Sequence, residues 1–371
     1  MTAYIHQLPD WPHFFWDDRR LSRQLALVRH RQGRLIGHIE ALGFSLRTEA
    51  VLNTLTLDIV KSSEIEGSVL DTVEVRSSIA RRLGVDIGAT TPASRDVEGV
   101  VEMMLDATQN YDKPLTEERL FAWHASLFPT GRSGLSRIKV NAWRDDSKGP
   151  MQVVSGAVGQ ERVHFEAPAA SRVEQEMKAF LDWFNTDDDT DPVLRAGVAH
   201  LWFVTIHPFD DGNGRIARAI ADMTLARSEA SSQRFYSMSA QIRNERDIYY
   251  DTLEQAQQGT LDITSYLDWF LSCLHHSFDG VDGTLGTVLR MARFWDTHAS
   301  ETFNVRQRLI LSKLLESFEG KLTSTKWAKL SKCSQDTALR DILDLVARGI
   351  LVKDPGGGRS TSYSLANDTT W

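Results

Sequence analysis

A chain of 371 residues, 42% hydrophobic and 25% charged, is long enough for two or three domains and a sizeable buried core, which excludes a disordered or fibrous protein. Its net charge of -8 argues against a general nucleic-acid coat, without bearing on one basic module inside it. The opening MTAYIHQLPDWPHFFWDDRRLSRQLALVRH has no basic start followed by an apolar run, and no later stretch reaches bilayer-spanning length, so a cytoplasmic protein with no membrane partner is expected.

Helical periodicity dominates. From Leu21 to Leu42, and again from Thr48 to about Glu66, apolar residues recur at three-and-four spacing with charges between them. A further helix is expected from Ala93 to Asn110, where Val97, Val101, Met104 and Leu105 form a stripe. Thr116 then caps EERLFAWHASLF, which breaks at Pro129. The one convincing β signal before the C-terminal region is MQVVSGAVGQERVHFEA, two apolar runs separated by glycine and polar residues: a hairpin. SRVEQEMKAFLDWFN reads as an amphipathic helix. Asp191 and Pro192 next supply an N-cap and a first helical position for VLRAGVAHLWFVTI, apolar nearly all round and hence a central buried helix that Pro208 stops.

From about Asn304 the character changes to three helices, VRQRLILSKLLE, LTSTKWAKLSKC and SQDTALRDILDLVARG, followed by strand, glycine-rich turn and strand. That order describes a winged helix-turn-helix. The segment holds eleven Lys and Arg against seven Asp and Glu, in a chain that is acidic as a whole. The expected architecture is mainly α: an N-terminal helical region over 1–112, a core over 113–275 with a β-hairpin flap, a linking helix over 276–303 and the winged helix over 304–371.

Between the central helix and the next lies HPFDDGNGRIAR, residues 207–218. Asn-Gly alone would signal only a tight turn. A phosphate loop fails for want of a Lys-Ser/Thr pair, and a calcium loop fails because glycines stand third and fifth from Asp210 and no Glu stands twelfth. What remains is a helix whose first turn carries free backbone N–H groups behind two residues without Cβ, with Arg215 and Arg218 three apart on one face. That is an anion site suited to polyphosphate. Asp211 would compete with the phosphates unless a cation stands between them, and Mg2+ held by one carboxylate plus phosphate oxygens is the usual solution. His207 ends the preceding helix, where an unprotonated imidazole can take a proton from an incoming hydroxyl. Phe209 plugs the core. Cys273 and Cys333 stand far apart and support neither a disulfide nor a zinc site. His124, His164 and His200 lie in apolar contexts and read as satisfied core or pocket residues, with no third ligand beside His200 and His207. The aromatic DWPHFFWDD packs on the core.

HPFDDGNGRIAR resembles the signature of the Fic family, His-x-Phe-x-Asp/Glu-Gly-Asn-Gly-Arg-x-x-Arg, at every specified position. RIKVNAWRDD with the VVSG and VHFEAP strands looks like the family's flap region, SAQIRNERDIYYDTLEQAQQG like the helix closing the adenine pocket, and IHQLPDWPHFFWD like a segment of bacterial members. The resemblance implies transfer of AMP from ATP to a Ser, Thr or Tyr hydroxyl of a protein substrate. It makes His207 the general base and Asp211 the Mg2+ ligand. It has Gly212, Asn213 and Gly214 hold the α- and β-phosphates, Arg215 the outer phosphates and Arg218 the γ-phosphate, with Tyr249 and Gln257 lining the adenosine site. Val153 and Val154 of the hairpin would hold the target segment by strand addition. Relatives often dimerise, so a homodimer is a further expectation.

Upstream, KSSEIEGS ends a helix, and Glu66 at its C-terminal end opposes the helix dipole much as the two arginines do at theirs. Ser63-x-x-Glu66 also reads as a capping box for another helix. Ser62-x-x-x-Glu66-Gly67, however, resembles the family's inhibitory motif, so Glu66 is expected to pair with Arg218 and keep the γ-phosphate out of place. In some members the same glutamate helps a water remove AMP. A rival function makes the chain a nucleotide-sensing DNA-binding regulator, with Lys326, Lys329 and Lys332 along one face and Arg340 on the recognition helix; winged helices also dock proteins. A third is transfer of another part of the nucleotide, which the intact Asp211 and Arg218 disfavour.

Overall fold

The computed structural model describes residues 4–40, 44–88, 90–147, 149–156, 162–316, 318, 320–355 and 361–366. It is mainly α-helical and packs as two units, Met1–Gly43 with Val51–Val281, and Phe44–Ala50 with Asp282–Trp371. Apart from residues 44–50, the N-terminal helices and the central helices belong to the same unit, so no break in packing falls between residues 112 and 113.

The first helices are α1 (Asp18–Glu40), α2 (Phe44–Ile65), α3 (Thr72–Leu83), α4 (Arg95–Gln109) and α5 (Glu117–Leu127). Leu42, the expected end of the first, lies outside the described residues. Thr116 caps α5 by accepting from Arg119 N, as its place before two glutamates predicts. In α2 the second half turns inward, with Leu55, Ile59, Ser62, Ser63 and Ile65 buried. The helix ends in a left-handed Gly67 at φ 79°, with Ser68 N bonded to Ser63 O at 3.0 Å. Glu66 therefore belongs to a C-terminus. The capping-box reading of Ser63 and Glu66 is overturned, because Asp71 caps the following helix through Val73 N and Glu74 N.

Two short hairpins follow: β1 (Arg132–Ser133) with β2 (Ser136–Arg137), and β3 (Gln152–Ser155) with β4 (Arg162–Glu166). The connection at 157–161 lies outside the described residues. Next come α6 (Ala170–Asn185), α7 (Pro192–Ile206), α8 (Asn213–Glu229), α9 (Met238–Asn244), α10 (Arg246–Gln257) and α11 (Thr264–Ser277). Asp191 accepts from Val193 N and Pro192 opens α7, after which every residue to Ile206 is buried. An all-round apolar helix has to be enclosed on every side. Its enclosure consists of α6, α8 and α11, while α4 and α5 close over α8. The N-terminal aromatic segment packs on this core: Trp11 and Phe14 stand edge-on to Trp202, and Trp11 Nε1 donates to Glu176 at 2.7 Å.

The second unit holds most of α12 (Asp279–Thr297), then α13 (Val305–Glu316), β5 (Leu322–Thr323), α14 (Ser324–Leu330), α15 (Gln335–Ala347), β6 (Leu351–Lys353) and β7 (Ser362–Leu365). The strands form one antiparallel sheet in the order β5-β7-β6. Its core gathers Phe294, Ile310, Leu311, Trp327, Ile342 and Leu345. The expected basic face is corrected here. α14 stops at Leu330, Lys332 lies beyond it in the left-handed region at φ 50°, and Lys326 is half-buried with its ammonium 4.2 Å from the Phe318 ring. Arg340 is exposed on α15, as expected.

Candidate functional site

The motif forms a closed loop between the two central helices. His207 caps α7 in the left-handed region at φ 52°, its N–H bonded to Phe203 O at 3.0 Å. That conformation costs a non-glycine residue roughly 1–2 kcal/mol and so needs outside support. Phe209 is fully buried and lies flat on His124, ring centroids 4.2 Å apart. The Asn213 amide clamps the same residue, accepting from Phe209 N at 3.0 Å and donating to Phe209 O at 2.8 Å. Gly212 sits at φ 81°, where a Cβ would press within 2.9 Å of the Phe128 ring. The loop is thus held by its own Phe209 and Asn213 together with His124 and Phe128 at the end of α5. Its shape leaves the N–H groups of Asn213, Gly214 and Arg215 without a partner among the described residues, at the positive end of α8.

His207 Nδ1 faces Val204 O at 3.1 Å. A carbonyl only accepts, so Nδ1 carries the proton and Nε2 keeps a free lone pair. Burial holds the imidazole below its ordinary pKa, and the charge of Arg144 works in the same direction, so His207 is neutral at pH 7 and ready to accept a proton. Asp211 is half-buried, its carboxylate taking Gly212 N at 2.6 Å and the Ser133 hydroxyl from the first hairpin. Each oxygen retains a lone pair. No cluster of three or more metal-binding side chains occurs among the described residues, and a single carboxylate at the mouth of a helix suits Mg2+ held mainly by phosphate oxygens and water.

Arg215 places its guanidinium 5.1 Å from the Phe128 ring, with a buried Nε that has no partner. Arg218 is 3% exposed and engaged by the end of α2: Nε donates to Ser62 Oγ at 3.0 Å, Nη2 to Ser62 O at 2.9 Å and to Glu66 Oε1 at 2.8 Å. Its Nη1 is buried and unpartnered. A Cβ on Gly214 would lie 2.2 Å from Glu66 Oε1. The Glu66 carboxylate therefore stands over the first turn of α8, where an anion would sit. The end of α2 is held there by α10, since Arg246 Nε donates to Ile65 O at 2.9 Å and Tyr250 OH reaches the same carbonyl at 3.3 Å.

Tyr249 is buried beside Arg218, its hydroxyl 3.2 Å from His200 Nε2; burial, foremost, raises its pKa. Gln257 turns its amide onto Thr205 Oγ1 at 3.4 Å, within the core at the last turn of α7. Burial lowers His124 to about 4 and His200 to about 3, so both are neutral packing groups, as expected. His164 is a correction. It is half-buried on β4, with Nδ1 2.6 Å from Glu254 and Nε2 2.6 Å from Ser155 Oγ, and so anchors the flap to α10 instead of filling a core or pocket. Gln258 Nε2 adds a bond to His164 O at 2.8 Å. With β4 tied down, β3 is the outer edge of a two-stranded sheet; Val154 is 48% exposed and Val153 half-buried.

Spacing brought together His207, Asp211, the Gly212–Gly214 turn, Arg215, Arg218 and Glu66, and the fold adds Tyr249. Sequence reasoning missed Ser133 and Arg144, which reach the loop from the flap region. Arg144, one of two arginines in RIKVNAWRDD, carries no signal beyond its neighbours.

Residues 114–225 match the model of the Fic/DOC family, and residues 4–85 match a domain of unknown function, DUF4172. The chain is similar to the protein adenylyltransferase Fic of Nematostella vectensis, 33% identical over 114 residues, 30% of this chain and 25% of the relative. To the enzyme of the same name from Culex quinquefasciatus it is 26% identical over 227 residues, 60% of this chain and 40% of that one. The chain thus spans at most about two fifths of these relatives' length. In fold it is similar to a Fic family protein from Desulfovibrio desulfuricans G20, with a TM-score of 0.53, 19% identity and coverage of 96% of this chain and 99% of that one. No described helix is long and apolar enough to cross a membrane.

Proposed function

We propose that the chain is a protein adenylyltransferase restrained by its own Glu66. The observation that carries this reading is the Glu66 carboxylate lying over Gly214 and bonded to Arg218, an anion of the protein itself at the site for phosphate. Backbone N–H groups of the first turn of α8 would hold the α- and β-phosphates of ATP, with Arg215 on the outer phosphates and Arg218 on the γ-phosphate once Glu66 withdraws. Asp211 would hold Mg2+, which would neutralise the departing diphosphate. His207 Nε2 takes the proton of a Ser, Thr or Tyr hydroxyl as its oxygen attacks the α-phosphorus, and pyrophosphate leaves in line. Positioning and charge neutralisation supply most of the rate in such a reaction. The open edge of β3, at Val153 and Val154, would align the target strand.

With Glu66 in place, ATP would lack its γ-phosphate contact and basal transfer would be slow. The test is incubation of wild type, Glu66→Gly and Glu66→Gly/His207→Ala with α-labelled ATP, Mg2+ and a cell lysate. Label on protein in the Glu66→Gly sample, at least tenfold above wild type and lost in the double variant, is expected. No label with Glu66→Gly overturns the proposal. Chasing labelled product with wild type asks whether Glu66 also directs a water to remove AMP.

The second unit has the element order of a winged helix-turn-helix. Exposed Leu339 and Leu343 lie on α15 beside exposed Asp336 and Asp344, flanking Arg340. Apolar and acidic side chains on the candidate recognition helix favour a protein contact over the DNA-regulator reading, because phosphate attraction dominates DNA affinity.

A further inference from the structure

Helix α7 delivers the base and then stops, which leaves the carbonyls of residues 206, 207 and 208 past the last helical bond. One residue meets all three of these carbonyls, two with its side chain and one with its backbone. Arg144, buried at 3% exposure, donates from Nε to His207 O at 2.7 Å and from Nη2 to Ile206 O at 3.5 Å, while its backbone N–H reaches Pro208 O at 2.9 Å. Three consecutive peptides are thereby oriented by a residue more than sixty positions upstream. Its Nη2 also bonds Pro168 O, two residues beyond the end of β4. Asp146 stands 3.6 Å from Nη1 and accepts from Ala170 N at 3.0 Å, which pins the start of α6 to the same point.

We propose that Arg144 is the positioning residue for His207, fixing the left-handed backbone that aims Nε2 into the site and linking it to the root of the flap. Two bonds divide the work. The guanidinium sets the peptides on either side of His207, and Val204 O then sets the ring and its tautomer. A cation at the C-terminal end of a helix is also where the dipole favours it, so its charge stays beside the imidazole. The groups facing that imidazole are Arg144 from the flap region, Glu66 from the end of α2 and Asp211 from the loop. Arg144 opposes protonation there and the two carboxylates favour it. Because Pro168 shares the guanidinium, a target strand pulling on the flap acts on the base as well as on its own alignment.

The inference rests on the adenylyltransfer reading for its kinetic arm and not for its spectroscopic one. In the Glu66→Gly background, Arg144→Lys keeps the charge and loses the forked geometry, while Arg144→Met loses both. Misplacement of a base by about an ångström costs on the order of a hundredfold. Both variants are therefore expected to lose roughly 30- to 100-fold in kcat, with KM for ATP within about twofold, because the phosphates meet Arg215 and Arg218. NMR titration of His207 in nucleotide-free protein should show its pKa rising in Arg144→Met and holding in Arg144→Lys. An unchanged kcat in both folded variants, a loss confined to KM for ATP, or a His207 titration identical in wild type and Arg144→Met overturns the proposal. Absence of label in Glu66→Gly alone overturns the adenylyltransfer reading instead, and the titration still decides the role of Arg144.

Discussion

Helix α2 touches α8 at two levels, and the levels are built on opposite principles. At its end, Glu66 and Ser62 meet Arg218: unlike charges, with the Glu66 side chain still 31% exposed and lying past the last helical residue. One turn further back, Asp58 meets Asp222: two buried acidic groups joined by a hydrogen bond that needs a proton on one of them, and satisfied by Arg234, Ser237 and the Ser239 N–H. The spacing is the same on both helices, four residues between 58, 62 and 66 and four between 218 and 222. The first contact pairs Arg218 with an anion that, on the proposed reading, a phosphate would displace. The second has no ligand that could replace it and breaks only if α2 leaves α8. If Glu66 restrains the site as proposed, relief would require local rearrangement at Glu66 and Gly67, with α2 still seated.

The largest effect that breaks this comparison comes from removing the shared partner. Arg218→Ala would delete the partner of Glu66 and the proposed γ-phosphate contact together. In the Glu66→Gly background it should lower kcat/KM for ATP by a hundredfold or more; activity equal to that of Glu66→Gly would remove Arg218 from the site. Glu66→Gly by itself separates the two levels. Transfer should rise at least tenfold while Tm changes by no more than a few degrees, since the buried contact at Asp58 remains.

The inner level is tested by stability. Asp58→Ala strands two buried donors, Ser237 and Ser239, at about 1–3 kcal/mol for a group left unsatisfied. Urea unfolding should show that loss, whereas basal transfer should stay near the wild-type level because Glu66 still lies on Arg218. A rise in basal activity matching that of Glu66→Gly would mean that the two contacts form one switch. The pH dependence carries a definite sign. Burial, and after it the Asp58 charge, push the Asp222 carboxyl up to about 8, far above its unfolded value, so the folded protein binds the extra proton. Its contribution to stability is full at low pH, below the unfolded carboxylate range, and is lost progressively as pH rises through 8. Unfolding free energy should therefore fall between pH 6 and pH 9, and Asp58→Asn, which leaves Asp222 to ionise against Arg234, should flatten that slope.

The two levels were also unequally legible in the sequence. Glu66 and Arg218 each stand at the helix end that repels them, so local spacing alone marks both as needing a partner. Asp58 sits in mid-helix between apolar neighbours and Asp222 likewise, and nothing in the periodicity of either says that they meet. The same limit hid Arg144 and Ser133, whose roles exist only where the flap region closes over the loop. His164 misled because a histidine in an apolar strand looks like core until Glu254 arrives from α10. The helices themselves were readable, down to Thr116 and Pro192, since caps and breakers act within a few residues. Lys332 was misplaced for the converse reason: a left-handed residue after α14 turns the chain, and three-residue spacing no longer means one face.

The smallest effect sharpens the outer level. Ser62 is fully buried, and it gives Arg218 two acceptors, its hydroxyl and its carbonyl. Ser62→Ala removes only the hydroxyl and leaves the helix, the carbonyl and Glu66 in place. Loss of one such bond, worth about 0.5–1.5 kcal/mol, loosens the arginine without freeing it. Basal transfer should rise only two- to threefold, measured against the much larger rise for Glu66→Gly. If Ser62→Ala matched Glu66→Gly, the restraint would lie in the orientation of Arg218 and not in the carboxylate occupying the phosphate position. If it lowered transfer in the Glu66→Gly background, the same hydroxyl would be holding Arg218 for the γ-phosphate, a second use that Glu66 does not share.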